Sequence, residues 1–542
     1  MADAAEFQSV MTERLEALPP VIEPVPTAVT AFVGRTLRGP LHQPVRVDSF
    51  ADFQRLYGGL WQPSMLGYAV AQFFEQGGEA ALIVRVANGA RAASVSLPGP
   101  GGVLRLRGIN PGTREFLRAA VDYDGIAADD TGRFNLVVQR LQAPGTEQIE
   151  DQEIFRRVSL HGEGDRSLAT ALGASRLVRL DGPLPETRPD STMRLGPGLP
   201  AGYIASAADA DDGAEISDYD VIGSTEERTG LAALSACDEH FSLLCIPPLA
   251  REHDVGLATW VVAARLCRQR QALLIVDPPR GWDSAEAALG ALRDWSFHST
   301  DACLFFPRIL QTDRLRGREE SFAPCGAVAG LLAAADARAP LWSAALPEES
   351  LLRPPAQLQA AVSDAQRERL AALGANTLRV LRTGGGAALE ARTLVPDLAA
   401  RAELRLLTVR RLAHCIVASI TRGTRWALLE AGSEGLWIRL RAQVEAFLES
   451  FAQHGALVGD RAEDSYFVVC DSRLNGLAER GSGELHLLFG FAPVRPAEFL
   501  AYLVTQRAGG SSVRAVSVNR AVTHRRRGEE EIETSILRGL LA

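Results

Sequence analysis

Two short motifs in this chain have the residue types of protease active-site turns. Asp130-Thr131-Gly132 could supply a catalytic aspartate, and His161-Gly162 could supply a catalytic histidine. Such an enzyme also needs a serine nucleophile on a tight Gly-Thr-Ser or Gly-x-Ser-x-Gly turn. The sequence contains neither turn, and both motifs lie outside the region with α/β patterning. We therefore interpret both as chance agreement, and we expect no catalytic residues and no enzymatic activity.

The residues that could bind a metal or a cofactor do not complete a site either. Cys237 and His240 have the spacing of half a zinc site, but no second Cys/His pair matches them. His414 and Cys415 are adjacent, so they point to different faces of a helix. The glycines of residues 384–386 form a flexible turn, but a phosphate-binding loop also needs a lysine, and the chain has none. We expect no metal site and no cofactor.

Composition sets the broad class of the protein. The chain has 542 residues, is 46% hydrophobic and 23% charged, and carries a net charge of −9. This acidic balance argues against a nucleic-acid binder. No apolar run approaches the roughly 20 residues of a membrane helix, and the acidic start lacks the features of a secretory signal. The seven cysteines show no paired spacing, which is typical of buried free thiols in a protein made in a reducing compartment.

The elements that position all of these residues begin with a β-α-α-β unit in residues 27–86. Its outer strands are the apolar runs 29–33 and 81–86. Of the two helices between them, the first begins after Ser49, a favourable N-cap residue, and the second ends at Gly77.

Three more regions follow, each with its own pattern. Residues 91–200 are punctuated by Gly and Pro and favour strands, which indicates a β-rich insertion. Residues 241–306 alternate continuous apolar strands with helices, as in a buried parallel sheet with right-handed crossovers. After Leu341, amphipathic helices and further strands favour an α+β core.

Three blocks of the sequence resemble, in their residue motifs and in their order, the contractile tail sheath proteins of contractile phages, R-type pyocins and phage-tail-like injection particles. The first is residues 27–86, with an AFVG strand, a Gly-Pro turn, a YAVxxFF helix and a VRV strand. The second joins residues 373–397, which include GANTLR and ARTL, to the VRRL helix of residues 408–420. The third joins residues 425–459 to the strand 490–504. The resemblance is faint in 91–200, and the family's Trp-x-x-Phe-Glu is altered here to Trp-Ala-Leu-Leu-Glu.

The patterning and the resemblance together predict a multidomain fold of the α/β and α+β classes. An α+β core from the N- and C-terminal parts would hold an inserted subtilisin-like α/β domain and a β-rich insertion, with extended terminal arms. The predicted segments are an N-terminal arm 1–26, an N-terminal part of the core 27–90, the β-rich insertion 91–200, the α/β domain 201–345, the C-terminal core 346–508, and a C-terminal arm and tail 509–542.

The arms give the most specific hypothesis. A strand detached from its core leaves backbone N–H and C=O groups unpaired, and adding it to a neighbour's sheet edge satisfies them. Alternation in residues 511–522, beyond a Gly509-Gly510 hinge, favours such a strand over a disordered tail. The resemblance implies that donated strands link the subunits, here from residues 12–26 and 511–522. The residues expected in the donated strands are Val21, Ile22, Val25, Val513, Val516, Val518 and Val522.

An arginine cluster also stands out in this acidic chain. Its members are Arg405, Arg410, Arg411, Arg422 and Arg425. They could line a solvated helix face or pair with Glu403 and Glu430. Alternatively, as the resemblance implies, they could form a cationic surface that faces an acidic inner tube. Both interpretations stay open at this point.

The resemblance implies a structural subunit that polymerises around an inner tube and contracts to drive the tube through a target envelope. The expected partners are further copies of the chain in a helical homopolymer, sheath paralogues where several exist, the inner tube protein, and baseplate and tail terminator or cap proteins. Nucleic acid and direct membrane insertion are not expected. The protein would be made and assembled in the cytoplasm, and would belong to a phage tail, a bacteriocin or a released extracellular particle. The alternatives are an α/β hydrolase-like enzyme and a non-contracting sheath or baseplate component.

Overall fold

The computed structural model divides the chain into two compact units. The described residues are 21–160, 164, 166–193, 202–343, 351–352, 357–380, 391–397, 404–430, 433–459, 461–476, 483–494 and 499–516. Residues 26–414 form the larger unit, and residues 21–25 with the described part of 415–516 form the smaller unit. The division at His414 falls inside one helix, Leu407–Gly423.

The elements are numbered in chain order. The strands are β1 Thr30–Gly34, β2 Val45–Val47, β3 Ala81–Arg85, β4 Ser94–Gly99, β5 Gly102–Gly108, β6 Phe116–Asp122, β7 Arg133–Leu141, β8 Ile149–Ser159, β9 Val178–Leu180, β10 Ile204–Ala205, β11 Leu243–Cys245, β12 Leu273–Val276, β13 Ala302–Phe306, β14 Ile309–Asp313, β15 Arg318–Phe322, β16 Leu351–Leu352, β17 Gln357–Leu358, β18 Ala375–Thr377, β19 Arg379–Val380, β20 Tyr466–Val469, β21 Leu485–Phe491, β22 Leu500–Arg507 and β23 Gly510–Val516. The helices are α1 Phe50–Tyr57, α2 Leu66–Gln76, α3 Leu168–Gly173, α4 Asp218–Ile222, α5 Leu231–Ser235, α6 Leu257–Arg270, α7 Ala285–Arg293, α8 Cys325–Asp336, α9 Asp364–Ala372, α10 Leu407–Gly423, α11 Glu434–Gln453 and α12 Ala462–Ser465, with a 3-10 helix at Arg425–Leu429.

A seven-stranded sheet organises the larger unit, in the order β18-β13-β12-β11-β1-β3-β2 among the described residues. Every neighbouring pair is parallel except β2 with β3. Strands β1 and β3 are buried along their whole length. Parallel sheets with such continuous apolar strands are covered on both faces, so this sheet serves two separate cores.

Alternate residues of each strand enter opposite cores, because successive side chains of a strand point to opposite faces. One core lies under α6, α7 and α9 and includes Ala31 and Leu274. The other lies under α1, α2 and α8 and includes Phe32 and Ile275. The larger unit is therefore a layered α/β structure.

The strand order bears on the predicted segments. Strand β1 of segment 27–90 pairs directly with β11 of segment 201–345, and the grouping of residues 27–90 with the C-terminal core stays a prediction. Strand β18 extends the same sheet, although it lies in the segment 346–508 that the sequence assigns to the C-terminal core. The physical reason is burial on both faces: an apolar strand such as β1 needs a central place between two layers of helices.

Residues 94–205 contain two antiparallel sheets, β4-β5-β9 and β10-β6-β7-β8. They share a core that includes Leu106, Phe134 and Leu136. An ion pair joins this β-rich part to the parallel sheet region, since both terminal nitrogens of Arg38 donate to Glu150, at 2.8 and 3.0 Å. Such a two-point contact fixes orientation as well as distance.

The smaller unit contains a four-stranded antiparallel sheet, in the order β20-β21-β22-β23 among the described residues. Its core includes Phe467, Leu488 and Ala501. The Tyr466 hydroxyl donates to Glu449 of α11 at 3.0 Å, which ties this helix to the sheet. The fold as a whole is thus a mixed α/β multidomain fold.

Close packing of α2 on α8 requires glycine. A Cβ atom at Gly326 would lie 1.9 Å from the backbone oxygen of Ala69, so even alanine must push the helices apart. We expect Gly326→Ala to lower the free energy of unfolding by about 1–3 kcal/mol, as overpacking does. The measurement is the thermal unfolding midpoint.

Gly290→Ala on α7 is the matched control, because a Cβ atom at Gly290 meets nothing within 4 Å. Alanine stabilises a helix interior by about 0.5–1 kcal/mol relative to glycine, so this variant is expected to melt at or above the parent temperature. A Gly326→Ala protein that melts no lower than the parent would contradict the close backbone contact between α2 and α8 at this glycine.

Candidate assembly surfaces

The last residues of the predicted N-terminal arm bind helix α10 of their own chain. The Val25 N–H donates to the Ser419 hydroxyl at 2.9 Å. Ile22 and Val25 are both buried, whereas Val21 is exposed. A Cβ atom at Gly423 would lie 2.9 Å from Ile22, so the glycine creates the space that the isoleucine occupies. Within the described residues, Ile22 and Val25 therefore anchor the arm rather than extend it.

Strand β23 is likewise paired within its own chain. It runs antiparallel to β22, with Val513 opposite Val504 and Val516 opposite Ala501. Arg507 lies opposite Gly510, so Ala508 and Gly509 form a tight hairpin turn, and Gly510 is the first residue of β23 and not part of a hinge. Gly510 has a φ of 137°, a conformation that favours glycine. Val518 and Val522 lie outside the described residues, as do residues 12–20.

One side of β23 has no paired strand among the residues that the structure describes. Among the described residues, β20 and β23 are the outer strands of their sheet, so neither has a strand on its far side. A free edge presents a row of N–H and C=O groups that can pair with an added strand. Donation by the termini therefore stays a prediction, and this edge is where the structure could accept such a strand.

The arginine cluster separates into two groups. Arg410 binds Asp301 and Arg411 binds Asp336, and both guanidinium groups are buried. Arg405 donates to Asp397 at 2.9 Å. The partners of these arginines differ from the glutamates named in the sequence analysis. Glu430 binds Arg439, and Glu403 lies outside the described residues.

Arg422 and Arg425 are exposed, at the end of α10 and in the 3-10 helix. No ion pair forms at either side chain within the described part of the chain. The exposed Leu429 lies in the same 3-10 helix as Arg425. A cationic surface toward an inner tube therefore stays a prediction, with these two arginines as its accessible members.

The buried Asp301 is the centre of a charge cluster that sequence reasoning missed. Its carboxylate accepts from Arg268 Nε at 3.0 Å and from Arg410 Nε at 3.1 Å, and it lies 3.1 Å from His414 Nε2. Burial alone would raise the pKa of Asp301, but the charge of Arg410 and the hydrogen bond with His414 outweigh it and hold the pKa well below its usual range. Burial and the charge of Arg410 lower the pKa of His414 to about 4. The signal available in the sequence was an aspartate directly before an apolar strand.

The carboxyl ends of the parallel strands, where α/β enzymes place their chemistry, hold a helix-capping group. Asp277 follows β12 and accepts from the Cys325 N–H at 2.8 Å, at the first residue of α8. Burial raises the pKa of Asp277 to about 6 and raises the pKa of the Cys325 thiol well above its usual range. A buried protonated thiol is a poor nucleophile, so this pair stabilises a helix start.

The motifs singled out for chemistry are scattered. Asp130 Oδ1 accepts from the Gly132 N–H at 3.2 Å within a turn, and His161 lies outside the described residues. In the part of the chain that the structure describes, no group of three or more His, Cys, Asp or Glu side chains could hold a metal ion. All seven cysteines are free, and six are buried. Of the helices described, none is long and apolar enough to cross a membrane.

Comparison with known proteins links this architecture to one class of solved structures. No protein-family model matches the chain, and no protein of curated function matches its sequence. The sheath of the extracellular contractile injection system PVC, in its contracted state, matches 92% of this chain and 97% of its own at a TM-score of 0.53 and 17% identity. The contracted helical sheath of the anti-feeding prophage matches 92% and 98% at a TM-score of 0.52 and 16% identity. The sheath tail protein of Listeria innocua matches 90% and 96% at a TM-score of 0.57 and 11% identity.

The low pKa of His414 predicts a pH dependence of stability. Between about pH 6.5 and 4 the unfolded chain binds a proton at this position and the folded chain does not, so stability falls with falling pH, by up to about 1.4 kcal/mol per unit. We expect His414→Gln to be less stable than the parent at pH 7, and we expect the gap to narrow toward pH 4.

The measurement is the difference in unfolding midpoint between parent and variant across this range. Asp277, whose pKa is raised, acts in the opposite sense, stabilising the folded chain as pH falls through about 6. It is present in both proteins, so its contribution cancels in the difference. If the difference in unfolding midpoint between parent and variant does not change with pH, His414 is excluded as the titrating group.

Proposed function

We propose that this chain, which has the fold of contractile tail sheath proteins, is the structural subunit of a contractile sheath. Many copies would polymerise around an inner tube and contract to drive the tube through a target envelope. The observation that carries the proposal is the match to a contracted sheath over 92% of this chain and 97% of that chain.

The site chemistry supports a structural role over the hydrolase alternative. The carboxylate at the end of β12 caps a helix, and the nearby thiol is buried and protonated. The parallel order β13-β12-β11-β1 supports, as part of the proposal, a subtilisin-like layout of the sheet without the catalytic residues. A non-contracting relative would share the fold and is distinguished by its response to a trigger.

Linkage between copies would use the termini. The anchor at Ile22 and Val25 holds the end of the arm on α10, so the residues that precede it would reach another copy without unfolding the smaller unit. The side of β23 that has no partner strand among the described residues would offer hydrogen bonds to a strand from a neighbour. Chains joined in this way stay connected while the units shift as rigid bodies, since packed cores do not deform continuously.

The further partners are part of the same proposal. Arg422 and Arg425 would face an acidic inner tube, and the ends of the sheath would meet baseplate and terminator or cap proteins. Contraction would release free energy stored in a metastable lattice and would need no nucleotide. The sheath would assemble in the cytoplasm and act in a phage tail, a bacteriocin or a released injection particle.

The decisive experiment is electron microscopy of the purified full-length chain in negative stain. We expect hollow cylinders that shorten and widen on a contraction trigger such as urea. A small oligomer on gel filtration and no cylinders would contradict the proposal. Cylinders that never shorten would favour the non-contracting alternative.

Removal of residues 517–542 tests strand donation. The truncation takes away Val518 and Val522 but leaves β23 and its pairing with β22, so the subunit is expected to keep its melting temperature. We expect the assembled fraction, measured by sedimentation, to fall by about tenfold or more, because each lost contact of 1.4 kcal/mol costs a factor of ten.

Removal of residues 523–542 alone is the matched control, since the predicted donated strand ends at residue 522. This shorter truncation is expected to assemble as the full chain does. Equal assembly by both truncated proteins and the full chain would exclude donation by residues 517–522.

The tube-facing surface is tested by Arg422→Glu combined with Arg425→Glu. Exposed ion pairs contribute only about 0.2–1 kcal/mol each, but they are repeated in every subunit. We expect the variant to form empty cylinders normally and to lose co-assembly with an inner tube protein encoded beside it, scored by co-sedimentation. Arg105→Glu, an exposed change in the β-rich part, is the control, and a variant that still recruits the tube would refute this surface.

A further inference from the structure

Two exposed surfaces of the larger unit complement each other in charge and in apolar content. The first is the turn of the β14–β15 hairpin, residues 314–318, with the sequence Arg-Leu-Arg-Gly-Arg, which we call the hairpin tip. Its Leu315 side chain is 46% exposed. A single exposed leucine is common on protein surfaces, so the residues around Leu315 decide whether it marks a binding surface.

The hairpin is held rigidly at its base. The Tyr68 hydroxyl donates to Asp313 at 2.9 Å, and Gln72 of α2 donates to Gln311 at 3.0 Å. Arg251 contacts both Asp313 and Glu320. A preformed projection loses little conformational entropy on binding, so the tip is suited to docking.

The hairpin tip carries an excess of positive charge. It has three arginines and no acidic residue. Arg316 and Arg318 share one carboxylate oxygen of Glu320, at 3.1 and 2.7 Å, and Arg314 contacts Glu75 of α2. Because Glu320 also binds Arg251, one carboxylate serves three guanidinium groups. The exposed Glu319 follows directly, so the positive excess is confined to residues 314–318, and this short segment is complementary to an acidic surface.

The second surface, which we call the acidic patch, lies on α4 and α6. Its apolar members are Tyr219, Leu257 and Val261, which are 85%, 48% and 53% exposed. Leu257 and Val261 lie one turn apart on α6, and Tyr219 follows Asp218, whose carboxylate accepts from the Gly256 N–H at 2.9 Å just before α6. This hydrogen bond places the start of α6 beside α4, so the three exposed apolar residues lie on neighbouring helices.

The charge around this group is negative on the side of α4. The carboxylates on α4 and in the residues just after it are Asp218, Asp220, Glu226 and Glu227, and Arg228 follows them. Arg265 lies one turn beyond Val261, at the other end of the patch. The acidic patch therefore offers an apolar surface bordered by carboxylates, the counterpart of a leucine bordered by arginines.

The two surfaces lie on opposite faces of the seven-stranded sheet. Helix α6 packs through Ala263 into the core that contains Leu274. Helix α2, which holds the hairpin, packs through Phe73 into the core that contains Ile275. Surfaces on opposite faces are placed to join different copies of the chain, in a head-to-tail arrangement.

We infer that the hairpin tip of one copy docks on the acidic patch of the next copy, with Leu315 set among Tyr219, Leu257 and Val261. The inference rests on the proposed sheath function. The contact is heterologous, because unlike surfaces meet, and such contacts build rings or open helices. Like charges oppose tip-to-tip and patch-to-patch pairing, so the charges also fix the polarity of the assembly.

The first test places a charge at the contact in the full-length chain. Leu315→Asp and Val261→Asp are each expected to raise the concentration needed for cylinder formation by about tenfold or more, as loss of a central contact residue does. Val103→Asp is the matched control: Val103 is 41% exposed beside the β4–β5 turn and belongs to neither surface. Unchanged melting temperatures verify that all three proteins fold.

The second test reverses the charges. Arg316→Glu with Arg318→Glu, and separately Tyr219→Arg with Val261→Arg, are each expected to weaken assembly to a similar degree. Both pairs together in one chain are expected to restore it, because the new carboxylates of the tip then meet the new guanidinium groups of the patch. If each double variant weakens assembly and the chain with all four substitutions does not regain it, direct contact between the hairpin tip and the acidic patch is overturned.

The outcomes separate the inference from the function on which it rests. If every variant forms cylinders at the parental concentration, the inference is overturned and the sheath function is not. The two surfaces would then bind a protein other than this chain. Failure of the unaltered chain to form cylinders would overturn the sheath function itself.

Discussion

Backbone N–H and C=O groups at the edge of a sheet need partners, and this requirement links the fold of the chain to its proposed assembly. In the smaller unit, the backbone groups on one side of β23 pair with β22. Among the described residues, those on its other side have no partner strand. Ordered hydrogen bonding inside one copy thus creates the template that a second copy could extend. The same interaction would hold the subunit together and join subunits to each other.

Movement without loss of structure requires units that do not deform, and the larger unit is built in this way. Its parallel sheet is covered on both faces, and the glycines of α8 allow backbone contact with α2. The first half of α10 is held by Arg410 on Asp301 and by Arg411 on Asp336. Removing one partner of such a pair would leave a buried charge, so these contacts specify one arrangement.

Much of the local structure could be predicted from the sequence. The N-cap at Ser49, the end of α2 at Gly77 and the alternation of apolar strands with helices after residue 241 all agree with the structure. The pairing of β1 with β11 was missed, because both segments are equally apolar and their spacing in the chain does not reveal which strands are neighbours. The buried role of Arg410 was missed because its partner, Asp301, lies more than a hundred residues away.

By itself the sequence determined what depends on neighbours along the chain: the helices and strands, the lack of lysine chemistry and the blocks that resemble sheath proteins. Only the tertiary structure decided which strands share a sheet, that Ile22 packs at Gly423, and that Asp277 caps α8. Periodicity and capping act over a few residues, so the sequence displays them directly. Burial, ion pairing and sheet order depend on residues brought together from distant segments, so they become visible only when the chain has folded.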